Sequence, residues 1–196
     1  AGGVHPAAEG YLEAVRKICD EKEILLIIDE VQTGFCRTGN MFACERAGIS
    51  PDILCMAKSM ANGIPAGGVF CSDRVRMDPG THGSTFGGNP LSCAAAAATI
   101  DILRSENLAR AALEKGGYFC ERLSRLSLEA VGDIRHAGLM IGIELRKPAA
   151  AAIEKLQQNG VLVFGAGERV IRLLPPLIIS KTQLDTVADT MEEVLA

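Results

Sequence analysis

Residues Ile24–Lys58 read ILLIIDEVQTGFCRTGNMFACERAGISPDILCMAK. Two apolar runs, Ile24–Ile28 and Ile53–Ala57, each stop at a single charged residue, Asp29 and Lys58. Runs of this length, rich in Ile and Leu and bounded by turn residues, predict strands buried on both faces. An open parallel sheet holds its ligands outside the carboxyl ends of the strands. A carboxylate and an amine are therefore expected over one crevice.

Outward from that stretch the chain keeps an α/β rhythm. Pro6 can open a helix, and Leu12, Val15 and Cys19 recur at helical spacing, which predicts a helix over 7–22 with one buried stripe. A helix followed by a strand, a second helical segment and another strand is the order of a parallel sheet. Gly34 and Gly39 loosen the loop after Asp29, and a short helix over Met41–Ala47 is expected to end at Gly48. Gly68–Ser72 reads as a third strand, and Pro90 as the opening of a helix to about Arg104. Asn107–Leu128 reads as a further helix weakened by Gly116-Gly117, a pair expected to mark a bend or break.

The pattern changes near Val131-Gly132-Asp133. Ile134–Leu145 reads as a strand or hairpin, Pro148–Asn159 as a helix, and Val161–Phe164 and Val170–Leu174 as short strands. Ser180 and Gln183 form a capping box for a last helix to Leu195. The expected division is a larger α/β portion over 1–129 and a small α+β domain over 130–196.

Composition narrows the function. Of 196 residues 48% are hydrophobic and only 4% aromatic, so aliphatic side chains must fill the core. A net charge of −4 with no basic block argues against a nucleic-acid surface. No apolar run approaches the ~20 residues that span a bilayer. Seven cysteines without a Cys-x-x-Cys suggest reduced, buried thiols, and His5, His82 and His136 lack metal-ligand spacing. With no signal peptide visible, a cytoplasmic location is the expectation.

Asp29 and Lys58 together suit pyridoxal phosphate: an amine can join the cofactor aldehyde as a Schiff base, and a carboxylate can face its pyridinium nitrogen. On spacing alone the plainer alternative leads, a solvated lysine at a strand end and an aspartate capping the next turn. Gly165-Ala166-Gly167 precedes a strand and lacks a third glycine, so it is no dinucleotide fingerprint.

The wording around these residues resembles the class III aminotransferases of the fold-type-I pyridoxal phosphate family. The matching segments are Asp29-Glu30-Val31-Gln32-Thr33-Gly34, Arg37-Thr38-Gly39, Pro51-Asp52-Ile53-Leu54, Ala57-Lys58 and His82-Gly83-Ser84-Thr85-Phe86-Gly87-Gly88-Asn89-Pro90. Within the class the wording is most similar to the acetylornithine aminotransferases. The resemblance implies part of a fold-type-I large domain, a mostly parallel sheet with helices, plus a C-terminal α+β small domain. It implies that the chain corresponds to the second half of a longer enzyme. The first half would carry the main phosphate-binding loop, an aromatic stacked on the cofactor and part of the substrate pocket.

It also implies roles. Lys58 would be the Schiff-base lysine and proton carrier, with Asp29 at the pyridine nitrogen, Val31 against the ring and Gln32 at the ring hydroxyl. Glu30 would lie beside the cofactor, with no role that the residues themselves suggest. Thr85 would reach the cofactor phosphate of a neighbouring subunit, which implies a homodimer with shared active sites. Ser84 would touch substrate and Arg172 would grip its α-carboxylate. The implied reaction moves the δ-amino group of N-acetylornithine to 2-oxoglutarate, in arginine biosynthesis. Ornithine, 4-aminobutyrate and succinylornithine are the alternative amino donors, and a non-catalytic piece that only dimerises or binds cofactor weakly is the alternative of another class. Cys36 and His136 stand where the family usually has glycine.

Overall fold

The computed structural model describes residues 2–196 and divides them into two compact units. One comprises Ala7–Cys36 and Asn40–Ala109. Its first helix, α1 (Tyr11–Glu21), starts after Gly10, whose φ of 79° breaks any helix running in from Pro6. The helix predicted over 7–22 is thus shorter, and its stripe of Leu12, Val15 and Cys19 is only half-buried. Three short strands follow, β1 (Ile27–Asp29), β2 (Ile53–Met56) and β3 (Gly68–Cys71), in the order β1-β2-β3. β1 and β2 run parallel with Asp29 beside Cys55, and β3 returns antiparallel to β2.

Asp52 ties α1 to this sheet. It sits one residue before β2 and its carboxylate accepts from the Leu26 N–H at 2.8 Å, Arg16 Nη1 at 2.8 Å and Arg74 Nη1 at 3.0 Å. The Leu26 N–H first, and then the Arg16 guanidinium, hold its carboxyl down at about 2. The helix α2 (Pro90–Ser105) begins where Asn89 accepts from the Ser92 N–H, with proline in the first turn.

The expected burial of the strands on both faces is not met within this chain. Ile24, Leu25 and Ile27 of the first run are exposed, as are Val69 and Phe70 of β3. No described element covers that surface, so the aliphatic runs that predicted the strands lie open along part of their length. The expected burial of the thiols holds only in part. Cys36 and Cys44 are buried, whereas Cys71 and Cys93 are exposed.

The other unit comprises residues 2–6, Arg37–Gly39 and Arg110–Ala196. It takes all but the first two residues of α3 (Leu108–Ser124). The helix runs unbroken through the Gly116-Gly117 pair. A Cβ on Gly116 would lie 1.9 Å from the Gly138 carbonyl oxygen, so the glycine is there because backbone passes against the helix. Gly138 belongs to the turn between β4 (Val131–Ala137) and β5 (Met140–Leu145), the hairpin the sequence allowed.

Then come α4 (Ala150–Gln158), β6 (Phe164–Gly165), β7 (Val170–Leu173) and α5 (Lys181–Leu195). The antiparallel sheet has the order β4-β5-β7-β6, and the strand predicted over Val161–Phe164 shrinks to β6. The capping box of Ser180 and Gln183 forms as the sequence predicted. Phe119, Leu123, Ile141, Ile143, Leu156 and Met191 close a continuous apolar core between sheet and helices.

Candidate active site

The carboxyl ends of β1 and β2 lie side by side, and each delivers a charged side chain. Asp29 is the last residue of β1, and Lys58 follows β2 after Ala57. The parallel register puts Asp29 beside Cys55, three residues before Lys58. Both side chains are exposed. Lys58 has a φ of 47°, in the left-handed region that a side chain with a Cβ rarely adopts, and it opens a 3-10 turn over Lys58–Ala61. Such strain, on the order of 1–3 kcal/mol, persists only where surroundings impose it, and it clusters at functional sites.

The loop after β1 is tightly knit. The Val31 N–H donates to Asp29 Oδ1 at 2.9 Å, which leaves the second carboxylate oxygen of Asp29 available. The Glu30 N–H prolongs the β1–β2 ladder by donating to the Cys55 carbonyl at 2.8 Å. The Glu30 carbonyl accepts from the Gly34 N–H, and a Cβ on Gly34 would sit 2.9 Å from that same oxygen. Phe35 and Cys36 both have positive φ, and the Phe35 ring meets Phe42 edge-on at 5.5 Å. A φ of 69° at Cys36 explains why glycine suits this position and marks the thiol as a strained substitute. Val31 and Gln32 are half-buried on the same loop.

Glu30 is 1% exposed. Its carboxylate accepts from the Cys44 N–H at 2.9 Å and from the Thr33 hydroxyl. Burial first, and the Glu30 charge second, push the Cys44 thiol up to about 11. Burial likewise raises the Cys36 thiol.

Ser84 and Thr85 stand apart from these residues in sequence, on the exposed segment that leads into α2. That segment is held by local hydrogen bonds, Thr81 Oγ1 to the Asp78 carbonyl at 2.7 Å and Asn89 Nδ2 to the Phe86 carbonyl at 3.0 Å. Arg172 belongs to the other unit. It lies on β7, an interior strand paired on both sides, opposite Gly142 on β5 and Phe164 on β6, and it is half-buried. Arg172 is therefore not an edge-strand surface residue.

Two arginines in that unit have structural work that their sequence context only hinted at. Arg135 donates to the carbonyls of Gly3 and Val4 and pairs with Asp133 and Glu144. Arg37 donates to the carbonyls of Leu139 and Pro175, and burial lowers its pKa. Their carbonyl partners are 102 to 138 residues away in sequence. His136, on β4 opposite Ile141, fits an ordinary exposed strand position without a left-handed φ.

Residues 1–195 match the family described as aminotransferase class-III. The chain belongs to the class-III aminotransferases. It is 44% identical over 192 residues to an acetylornithine aminotransferase of Methanosarcina acetivorans, covering 98% of this chain and 49% of that protein. It is 45% identical over 197 residues to an ornithine aminotransferase of Oceanobacillus iheyensis, with 98% of this chain and 49% of that protein covered. An ornithine aminotransferase structure from Toxoplasma gondii, which has partial occupancy of PLP at its active site, superposes with a TM-score of 0.93 at 36% identity. That match covers 98% of this chain and 48% of the Toxoplasma chain. The fold of this class-III chain is thus the fold-type-I arrangement expected from its wording, and the chain spans about half the length of the curated relatives it matches.

Proposed function

We propose that the protein is a pyridoxal-phosphate-dependent aminotransferase that moves the δ-amino group of N-acetylornithine to 2-oxoglutarate. Ornithine, 4-aminobutyrate and succinylornithine are the alternative donors, and the relatives' names support both the acetylornithine and the ornithine reading. The observation that supports the proposal is the position of Asp29 at the carboxyl end of β1 and of Lys58 two residues beyond the carboxyl end of the adjacent parallel strand β2. The donor set fits the cofactor: an exposed amine on a strained turn for its aldehyde, and a carboxylate with one oxygen uncommitted for its ring nitrogen.

When bound, pyridoxal phosphate supplies an electron sink for the carbanion formed at the substrate carbon. Asp29 holds positive charge at the ring nitrogen, which an asparagine there would not do. Val31 would pack against the ring face and Gln32 would donate to the ring hydroxyl. The Lys58 amine carries the proton on and off the substrate carbon. Thr85 and nearby backbone N–H groups suit a phosphate, in this reading that of a partner subunit's cofactor within a homodimer. Ser84 contacts substrate, and the planar guanidinium of Arg172 takes the substrate carboxylate in two parallel hydrogen bonds. Arginine biosynthesis in the cytoplasm is the setting this reading assigns.

The test adds pyridoxal phosphate to the purified chain and follows visible absorbance. A band that Lys58→Ala abolishes supports the assignment, and its absence from the unaltered chain sinks it. A second reading draws on the open apolar surface of Ile27, Val69 and Phe70 and on the half-length match. In it the chain binds cofactor but does not turn over. A Lys58-dependent band without conversion of any amino donor supports that reading, and turnover removes it.

A further inference from the structure

We infer that Glu30 is a positioning residue whose buried carboxylate closes the loop over 31–44 and thereby fixes the direction in which Asp29, Val31 and Gln32 present themselves. The inference rests on the cofactor reading proposed above and goes beyond it. There Glu30 lies among the cofactor-contacting residues, whereas its carboxylate is directed into its own loop. Four hydrogen bonds converge on this one residue. Its N–H joins the β1–β2 ladder at Cys55, and its carbonyl takes the Gly34 N–H. One carboxylate oxygen takes the Cys44 N–H and the other takes the Thr33 hydroxyl.

At 1% exposure, this carboxylate is a buried charge that is kept in place only because donors surround it. The geometry has a purpose beyond holding the loop. Asp29 lies one residue before Glu30, and the Asp29 carboxylate is itself aimed by the Val31 N–H one residue after it. Rotation of the chain at Glu30 turns both. A shift of about 1 Å at such a point is large on the scale of a productive geometry.

The experiment compares Glu30→Ala and Glu30→Gln by two readouts. The first is hydrogen exchange of residues 31–44 in the chain without cofactor. The second is the pH midpoint of the Lys58-dependent visible band with pyridoxal phosphate added. Glutamine keeps an oxygen for the Cys44 N–H and a polar group for Thr33, so it should restore what alanine loses.

The expected result is fast exchange over 31–44 and a displaced pH midpoint in Glu30→Ala, with both returned to the unaltered values in Glu30→Gln. Unchanged exchange in Glu30→Ala overturns the inference. Fast exchange with an unmoved midpoint also overturns it, because the residue then holds the loop without aiming Asp29. If Glu30→Ala does not fold, Glu30→Asp, one methylene too short to reach both donors, carries the same comparison. If the unaltered chain shows no Lys58-dependent band, the cofactor reading fails and the aiming of Asp29 falls with it. The exchange data then still separate that failure from a failure of the loop closure.

Discussion

Leu156 and Met191 have no exposed surface, whereas Ile27 and Phe70, equally apolar and set in strands of the other unit, are 59% and 61% exposed. The unit of β4–β7 closes its core with its own helices. The unit of β1–β3 carries both Asp29 and Lys58 but leaves part of its sheet uncovered by any of the described residues. The difference teaches that the candidate site is built on backbone hydrogen bonds and buried charge, while the other unit stands on apolar packing. Substitutions should therefore act by different physics in the two units.

The largest effect is expected at Gly116. Alanine there would push a Cβ to 1.9 Å from the Gly138 carbonyl oxygen, and backbone cannot swing aside as a side chain does. Gly116→Ala should cost about 3 kcal/mol, at the upper end for overpacking. Its neighbour Gly117 lies in the interior of α3, and a methyl group added there would meet nothing within 4 Å. Gly117→Ala should instead stabilise by up to about 1 kcal/mol through helix propensity. Urea denaturation of the two variants reads both, and the same sign for both would break the account of the glycine pair.

Next comes the direct contrast of the cores. Leu156→Ala should cost about 3 kcal/mol, from lost burial and the cavity left behind. Ile27→Ala should change stability by no more than about 0.5 kcal/mol, since most of its side chain is already in water. Equal losses in urea denaturation would mean that the sheet surface around Ile27 is covered in solution.

Much of this was legible in the sequence, and the reasons differ by element. The end of β1 at Asp29, the end of β2 shortly before Lys58, the Asn89-Pro90 helix start and the Ser180/Gln183 capping box are local signals, written within a few residues. The break that the Gly116-Gly117 pair was expected to allow does not occur, because Gly116 answers to Gly138, 22 positions away, and not to its own helix. The same holds for Arg37, whose carbonyl partners lie more than a hundred residues on. Periodicity predicted the apolar runs as strands, but it could not tell whether this chain supplies both covering layers. Glu30 was placed by wording alone, and its buried hydrogen bonds to Thr33 and Cys44 depend on a loop path that spacing does not reveal.

Asp52 gives a smaller effect confined to acid pH. Its carboxyl is depressed from 3.8 to about 2 by the Leu26 N–H, then by Arg16. A depressed carboxylate contributes stability that is fully present above its unfolded pKa and is lost as pH falls through the folded value. The unit of β1–β3 should therefore weaken between pH 3.8 and about 2. Asp52→Asn should remove that slope while leaving the β4–β7 unit unaffected, as measured by the urea midpoint against pH. A slope that survives the substitution would assign the acid limb to other carboxylates.

The smallest effect concerns reactivity and not stability, and it cuts across the contrast between the units. Cys120, among the residues packed on the β4–β7 core, and Cys44, under the loop of the open unit, are both raised from 9.0 to about 11, in each case mainly by burial. At pH 8 a rise of that size lowers the thiolate fraction about a hundredfold, and the thiolate is the species that alkylates. Cys71 and Cys93 are exposed and should react with iodoacetamide first, with Cys44 and Cys120 slow together. If Cys44 instead reacts as fast as Cys71, the loop held by the Glu30 hydrogen bonds opens readily in solution. If it stays as slow as Cys120, a buried carboxylate and two donors have achieved locally what a full apolar core achieves in the other unit.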